Sequence, residues 1–210
     1  MSEHGPCCSF AGGHSHLGAA VEGETLLGSI DIDSVRCLNE RQADSCKAIF
    51  RNWLTRDRDR PEDLLECDED DPELLLFVPF KTQVRIRSIT IIGGRPEYTP
   101  RSVRLYVNRD DLDFSNVQSS APVQELNLIT DPMVASNVEY PVKVARFFNV
   151  SSVTLHFPHS DEIDFSQIRY ICFRGESTEN RRAVVNATYE ARAITTDHPS
   201  LLESVQQQFH

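Results

Sequence analysis

Residues 74–94, LLLFVPFKTQVRIRSITIIGG, constrain the chain more than any other stretch. Leu74 to Val78 is a continuous apolar run bounded by Pro72 and Pro79. Proline donates no ladder hydrogen bond, so such a run reads as a buried strand or as a strand at a sheet margin. Val84 and Ile86 then alternate with Gln83, Arg85 and Arg87, which is the period-two pattern of a half-buried strand. Beyond Arg87 the apolar positions change parity, to Ile89 and Ile91. A one-residue change of phase turns every later side chain to the other face, so a β-bulge is expected near Arg87–Ser88. Gly93 and Gly94 end the strand.

The same period recurs along the chain. Leu26 to Ile32 alternates and reads as a strand, as do Val103 to Val107, Val123 to Ile129, and Val153 to Phe157. Ile168 to Phe173 is apolar on both faces apart from Arg169, as expected of a central strand. Ala183 to Ala193 is the longest clean alternation. Ile49, Phe50 and Trp53 read as apolar anchors of an intervening loop. Roughly eight strands, with no helical pattern of about 12 residues in the body, predict an all-β jelly-roll sandwich. Ile86, Ile91, Leu105, Leu155, Phe157 and Ile171 are the expected core. By the same parity His156 falls on the outer face, as an exposed histidine with no catalytic role.

A formal charge of −11 argues against wrapping nucleic acid, which needs a basic footprint. No apolar run follows a basic start, and none approaches the roughly 18 residues of a membrane span. The six cysteines form no CxxC pair; Cys37, Cys46, Cys67 and Cys172 are expected to be small hydrophobes of a reduced compartment. A soluble monomer, cytoplasmic and with the nucleus also open to it, is the expectation.

The residues with ligand chemistry stand mostly at the ends. Residues 1–24 carry His4, Cys7, Cys8, His14 and His16 in a Gly- and Ala-rich context. Imidazole and thiolate ligate zinc or copper, but the spacing matches no zinc-binding pattern, so a disordered, solvated tail is expected and no metal is assigned. Glu66, Asp68, Glu69, Asp70, Asp71 and Glu73 crowd one loop. The loop lacks the DxDxDG calcium pattern and reads as an acidic turn feeding Leu74. Asp31 and Asp33 have no third group to make them an acid–base pair. At the other end Pro199 and the capping-box stretch Ser200–Glu203 precede Leu201, Val205 and Phe209 at four-residue spacing. This reads as a short amphipathic helix, too short to stand alone, that lays one apolar stripe on its own domain or on a partner. His210 ends the chain with an imidazole and a carboxylate, both metal ligands.

Six blocks in order carry a family resemblance: IDIDSVRCLNE (30–40), ELLLFVPF (73–80), VRIRSITIIGG (84–94), VARFFNVSSVTLHF (144–157), IRYICFRGE (168–176) and YEARAITTDH (189–198). The chain resembles the PITH-domain proteins, named for proteasome-interacting thioredoxin, and in particular the stand-alone members. The resemblance implies a galactose-binding-like jelly roll over residues 25–193, with a tail over 194–210. It also implies binding to the proteasome regulatory particle. One branch of the family adds a thioredoxin domain; with no CxxC and no βαβ segment ahead of residue 26, its oxidoreductase activity does not carry over. If the partner is the proteasome, His210 could reach the zinc of the lid's deubiquitinase.

No nucleophile elbow, phosphate loop or HExxH is present. The resulting expectation is a non-enzymatic binding module without a cofactor. The alternative is a small-molecule or glycan-binding jelly roll, which an exposed aromatic platform in a loop-lined concavity would favour.

Overall fold

The computed structural model describes residues 23–68, 71–160 and 163–178. Among them are nine strands: β1 (Glu24–Thr25), β2 (Arg36–Leu38), β3 (Leu65–Glu66), β4 (Leu74–Gly93), β5 (Ser102–Val107), β6 (Gln124–Asn127), β7 (Tyr140–Pro141), β8 (Val150–Phe157) and β9 (Gln167–Ser177). Among the described residues the helical elements are single turns, including α1 (Ser45–Ala48) and α2 (Pro132–Ala135).

β4 spans 20 residues and belongs to both halves of the sheet. Its first half pairs antiparallel with β8, from Leu74↔Phe157 to Pro79↔Ser152, and on its other side with β2. β8 continues to β5, and β5 to β6. The second half of β4 pairs with β9, with Ile91 opposite Ile171. β9 in turn takes β1 and β3, while β7 pairs with β4 at Ser88 and Ile89. The β4–β8 register breaks between Pro79 and Val84, where proline leaves a gap in the ladder. The β4–β9 register shifts between Ile86 and Ser88, which places the expected bulge at Arg87. The bulge absorbs the parity change, so Val84, Ile86, Ile89 and Ile91 all enter the same core.

The sheet curls so that Leu76, Val78, Leu105, Leu155 and Phe157 of one half meet Ile86, Ile91, Ile171 and Phe173 of the other. Fully burying such a side chain stabilises the fold by about 1.5–3 kcal/mol. All six expected core residues are at most 2% exposed. Ile49 and Phe50 join this core, and Phe50 stacks on Phe173 with ring centroids 6.4 Å apart.

Two expectations are corrected. Leu26 to Ile32 is not a strand: it forms 3-10 turns at Leu27–Ser29 and Ile32–Ser34. Leu26 and Ile30 are both buried, and their spacing fits one turn of helix as well as it fits an alternating strand. The outer faces of the strands are also not uniformly solvated. Leu75, Tyr106, Leu112 and Val117 form a second apolar cluster, and Ile92, Ala135, Tyr170 and Cys172 a third. The alternation at 183–193 and the helix expected near 200–209 lie outside the described residues.

Candidate functional site

The outer face of β2, β4, β8 and β5 is covered by residues 109–117. Thr154 Oγ1 donates to the Arg109 carbonyl at 2.8 Å, and Arg36 Nη2 donates to the Asp110 carbonyl at 3.0 Å. Leu112 and Val117 pack on Leu75 and Tyr106, whose hydroxyl donates to the Val117 carbonyl at 3.1 Å. The Asp113 carboxylate accepts the backbone N–H groups of Ser115 and Asn116 at 2.9 and 3.0 Å, which sets the turn. Between this loop and β2 a recess of about 220 Å³ remains, floored by Leu75, Phe77 and Thr154 and walled by Leu38 and Leu112. At its rim the Arg36 guanidinium lies 4.5 Å over the Phe77 ring, while Arg109 is held by Asp111 at 2.6 and 2.8 Å.

His156 lies on this covered face, and its expected exposure is wrong. It is 0% exposed, and its Nε2 stands 2.5 Å from Glu73 Oε1. Burial pulls the imidazole below its ordinary value, and the Glu73 carboxylate beside it offsets part of that shift. Glu73 is itself held: Asn39, at φ 69, donates to the carbonyls of Asp71 and Glu73 at 2.7 and 2.8 Å. Among the described residues the ring's hydrogen-bond partner is Glu73, and His156 Nδ1 is buried without one, as in a structural pair. Elsewhere in the acidic run, Asp71 accepts the Glu73 N–H at 2.9 Å and Glu66 accepts from Gln167 at 2.7 Å.

The outer face of β4 and β9 carries an arginine–aromatic array. Arg56 and Arg174 stand 4.3 and 4.8 Å over the Trp53 ring, and Tyr170 meets Trp53 edge-on at 6.2 Å. Arg174 pairs with Glu139 at 3.0 Å, and Arg87 with Glu176 at 2.5 Å. Arg85 lies 4.5 Å over Phe148. Arg56 Nε donates to the Ser136 carbonyl at 3.1 Å, tying together two segments that expose Leu54 (86%) and Met133 (82%).

Burial pushes Cys46 up to about 12 and raises Cys37 and Cys67, which keeps all three protonated at neutral pH. Cys172 is buried in β9. Among the described residues no group of three or more His, Cys, Asp or Glu is placed to hold a metal. Also among them, no helix is long and apolar enough to cross a membrane. The candidate ligands His4, Cys7, Cys8, His14, His16 and His210, and the candidate partner stripe Leu201, Val205 and Phe209, lie outside the described residues. The recess was missed by sequence reasoning because its walls come from 36–38, 75–77, 109–112 and 154.

These elements define a jelly-roll β-sandwich with ordered loops on its outer faces. The chain belongs to the PITH domain family, whose pattern matches residues 19–193. PITH domain-containing protein 1 of Xenopus laevis is 37% identical over 200 residues, covering 89% of this chain and 92% of the relative. The Dictyostelium discoideum protein of the same name is 34% identical over 171 residues, covering 81% and 82%. Both are named for the domain and carry no enzyme name. Among solved structures, the fucolectin from striped bass serum superposes with a TM-score of 0.50 at 13% identity, over 74% of this chain and 50% of that one. The CBM32-1 and CBM32-2 domains of Clostridium perfringens ZmpB, in complex with GalNAc, give 0.49 at 14%, over 74% and 37%. At these identities the likeness is one of fold alone.

Proposed function

We propose that the chain is a non-enzymatic, protein-binding module of the ubiquitin–proteasome system that docks on the proteasome regulatory particle. Family membership across the sandwich carries this reading, because proteasome interaction is the property for which the family is named. The outer faces are compatible with it. Trp53, Phe77 and Phe148 each have an arginine over the ring, and arginine and aromatic residues are enriched where protein interfaces concentrate their energy. The module works as a cofactor-free monomer in the cytoplasm and nucleus and binds neither nucleic acid nor membranes.

A glycan or small-molecule role has less support. Trp53 gives its ring to two guanidiniums and Tyr170, so it offers no open platform for a sugar. The recess, at about 220 Å³, is smaller than the roughly 300–1,000 Å³ of typical small-molecule pockets. Affinity purification of the tagged full chain from cytosol, followed by mass spectrometry, tests the reading. Lid and base subunits should dominate the captured proteins. A capture no richer in these subunits than an untagged control refutes it.

A further inference from the structure

Of the two arginines that line the recess, Arg36 is the one whose charge is unpaired, since Arg109 is held by Asp111. The Arg36 guanidinium is stacked on Phe77 and donates to one backbone carbonyl, and among the described residues none places a carboxylate on it. Neighbouring Arg109 already has Asp111 in a two-point pair. Arg36 thus holds an unanswered positive charge beside an apolar floor, on a chain whose formal charge is −11. The ring beneath it and the bond to the Asp110 carbonyl hold the guanidinium in place, and a held fork suits two-point recognition of a carboxylate. Asp110 adds an exposed carboxylate to the loop side of the rim, so the positive end of the recess is the β2 end.

The recess, at about 220 Å³, lies below the roughly 300–1,000 Å³ of typical small-molecule pockets and takes one large side chain. Its walls are ordered before any partner arrives. Arg109 and Asp110 are pinned to the sheet through their carbonyls, and Leu112 is packed on the cluster beneath. Pre-ordering lowers the entropic cost of binding.

We infer that this recess is the anchor pocket for a partner protein segment in which one large apolar side chain sits next to an acidic residue. The apolar side chain enters between Leu38 and Leu112, and the acidic residue's carboxylate meets Arg36. The inference rests on the binding-module reading above and assigns that reading a face.

The test titrates the isotope-labelled full chain with three end-blocked peptides: Glu-Glu-Phe-Glu-Glu, Lys-Lys-Phe-Lys-Lys and Glu-Glu-Gly-Glu-Glu. Saturable shifts at the amides of Leu38, Phe77 and Leu112 are expected with the first peptide only. An equal response to either of the others, shifts centred elsewhere on the sandwich, or no response to any overturns the assignment. Arg36→Glu alters an exposed side chain and should abolish the response. It should also weaken capture of purified regulatory particles at least about tenfold. Leu38→Asp should do the same by spoiling the apolar wall, while Glu97→Lys, in the exposed turn 96–98 that does not line the recess, leaves both readouts unchanged. Equal capture of the particle by wild type and Arg36→Glu removes the recess assignment and leaves the proteasome reading standing. Wild type that captures no particle but still binds the Glu-Phe peptide removes the proteasome reading and keeps the recess. Recess shifts on deleting residues 199–210, or on dilution of the peptide-free chain, assign the pocket to the chain's own tail or to a second copy. Either result overturns the inference.

Discussion

The buried pair Glu73–His156 makes stability depend on pH in a defined direction. Burial holds His156 below its ordinary value in the folded chain, whereas the unfolded chain takes up the proton near pH 6.5. The unfolded state therefore binds more protons in the window just below about pH 6.5, and stability falls as pH drops through it. Wild type should lose more of its thermal midpoint between pH 7.5 and 5.5 than His156→Gln, which keeps a donor for Glu73 but does not titrate. Parallel losses in the two proteins contradict the assignment. Gly175 sets a second residue-scale limit. A Cβ there would sit 1.9 Å from the Arg85 carbonyl oxygen on β4, and that oxygen belongs to backbone that cannot swing aside. Gly175→Ala should destabilise by about 1–3 kcal/mol, as overpacking does, measured by urea unfolding. Neither feature is legible in the sequence. The parity of His156 is clear, but parity cannot tell a solvated outer face from one that a distant loop covers.

At the scale of elements, β4 was the most legible. Pro79, the change of parity and Gly93 each have a counterpart in the register. Leu155 on β8 faces both Leu76 and Leu105 across the ladder. Leu155→Ala should therefore cost about 2–5 kcal/mol through lost burial and the cavity left behind. A urea-unfolding cost below about 1 kcal/mol means that the inward face is misassigned. The connection between β2 and β3 was the least legible, because side chain–backbone bonds shape it rather than a period. Arg51 alone donates to the carbonyls of Ala48, Thr55, Arg58, Asp63 and Arg169. Arg51→Met removes all of these donors and leaves the sheet ladders intact. Amide exchange should speed up across residues 48–63 while β4 and β9 keep their protection. Uniform acceleration across the sheet refutes a local role.

At the scale of the whole molecule, the ends of the chain decide how much of it is domain and how much is binding arm. The N-terminal boundary drawn from composition falls slightly too late, since Glu24 already pairs with Gly175 and Gly23 packs against the same residue. The family match closes at residue 193, so residues 199–210 lie beyond the matched region. Their thermal signature and their binding signature should therefore separate. The chain lacking 199–210 should melt within about 4 °C of the full chain, a shift on the order of 1–2 kcal/mol at this size. It should nevertheless capture regulatory particles more weakly if Leu201, Val205 and Phe209, at four-residue spacing in the sequence, act as the expected partner stripe. His210→Ala keeps the stripe and removes one metal ligand, which separates anchoring from zinc chemistry. If the terminal imidazole reaches a zinc ion that keeps an open position, the full chain slows zinc-dependent deubiquitination by the particles and His210→Ala does not. Equal slowing by both proteins ends the zinc idea and leaves the stripe. Undiminished capture by the truncated chain ends the stripe, and the sandwich faces then carry the whole interaction.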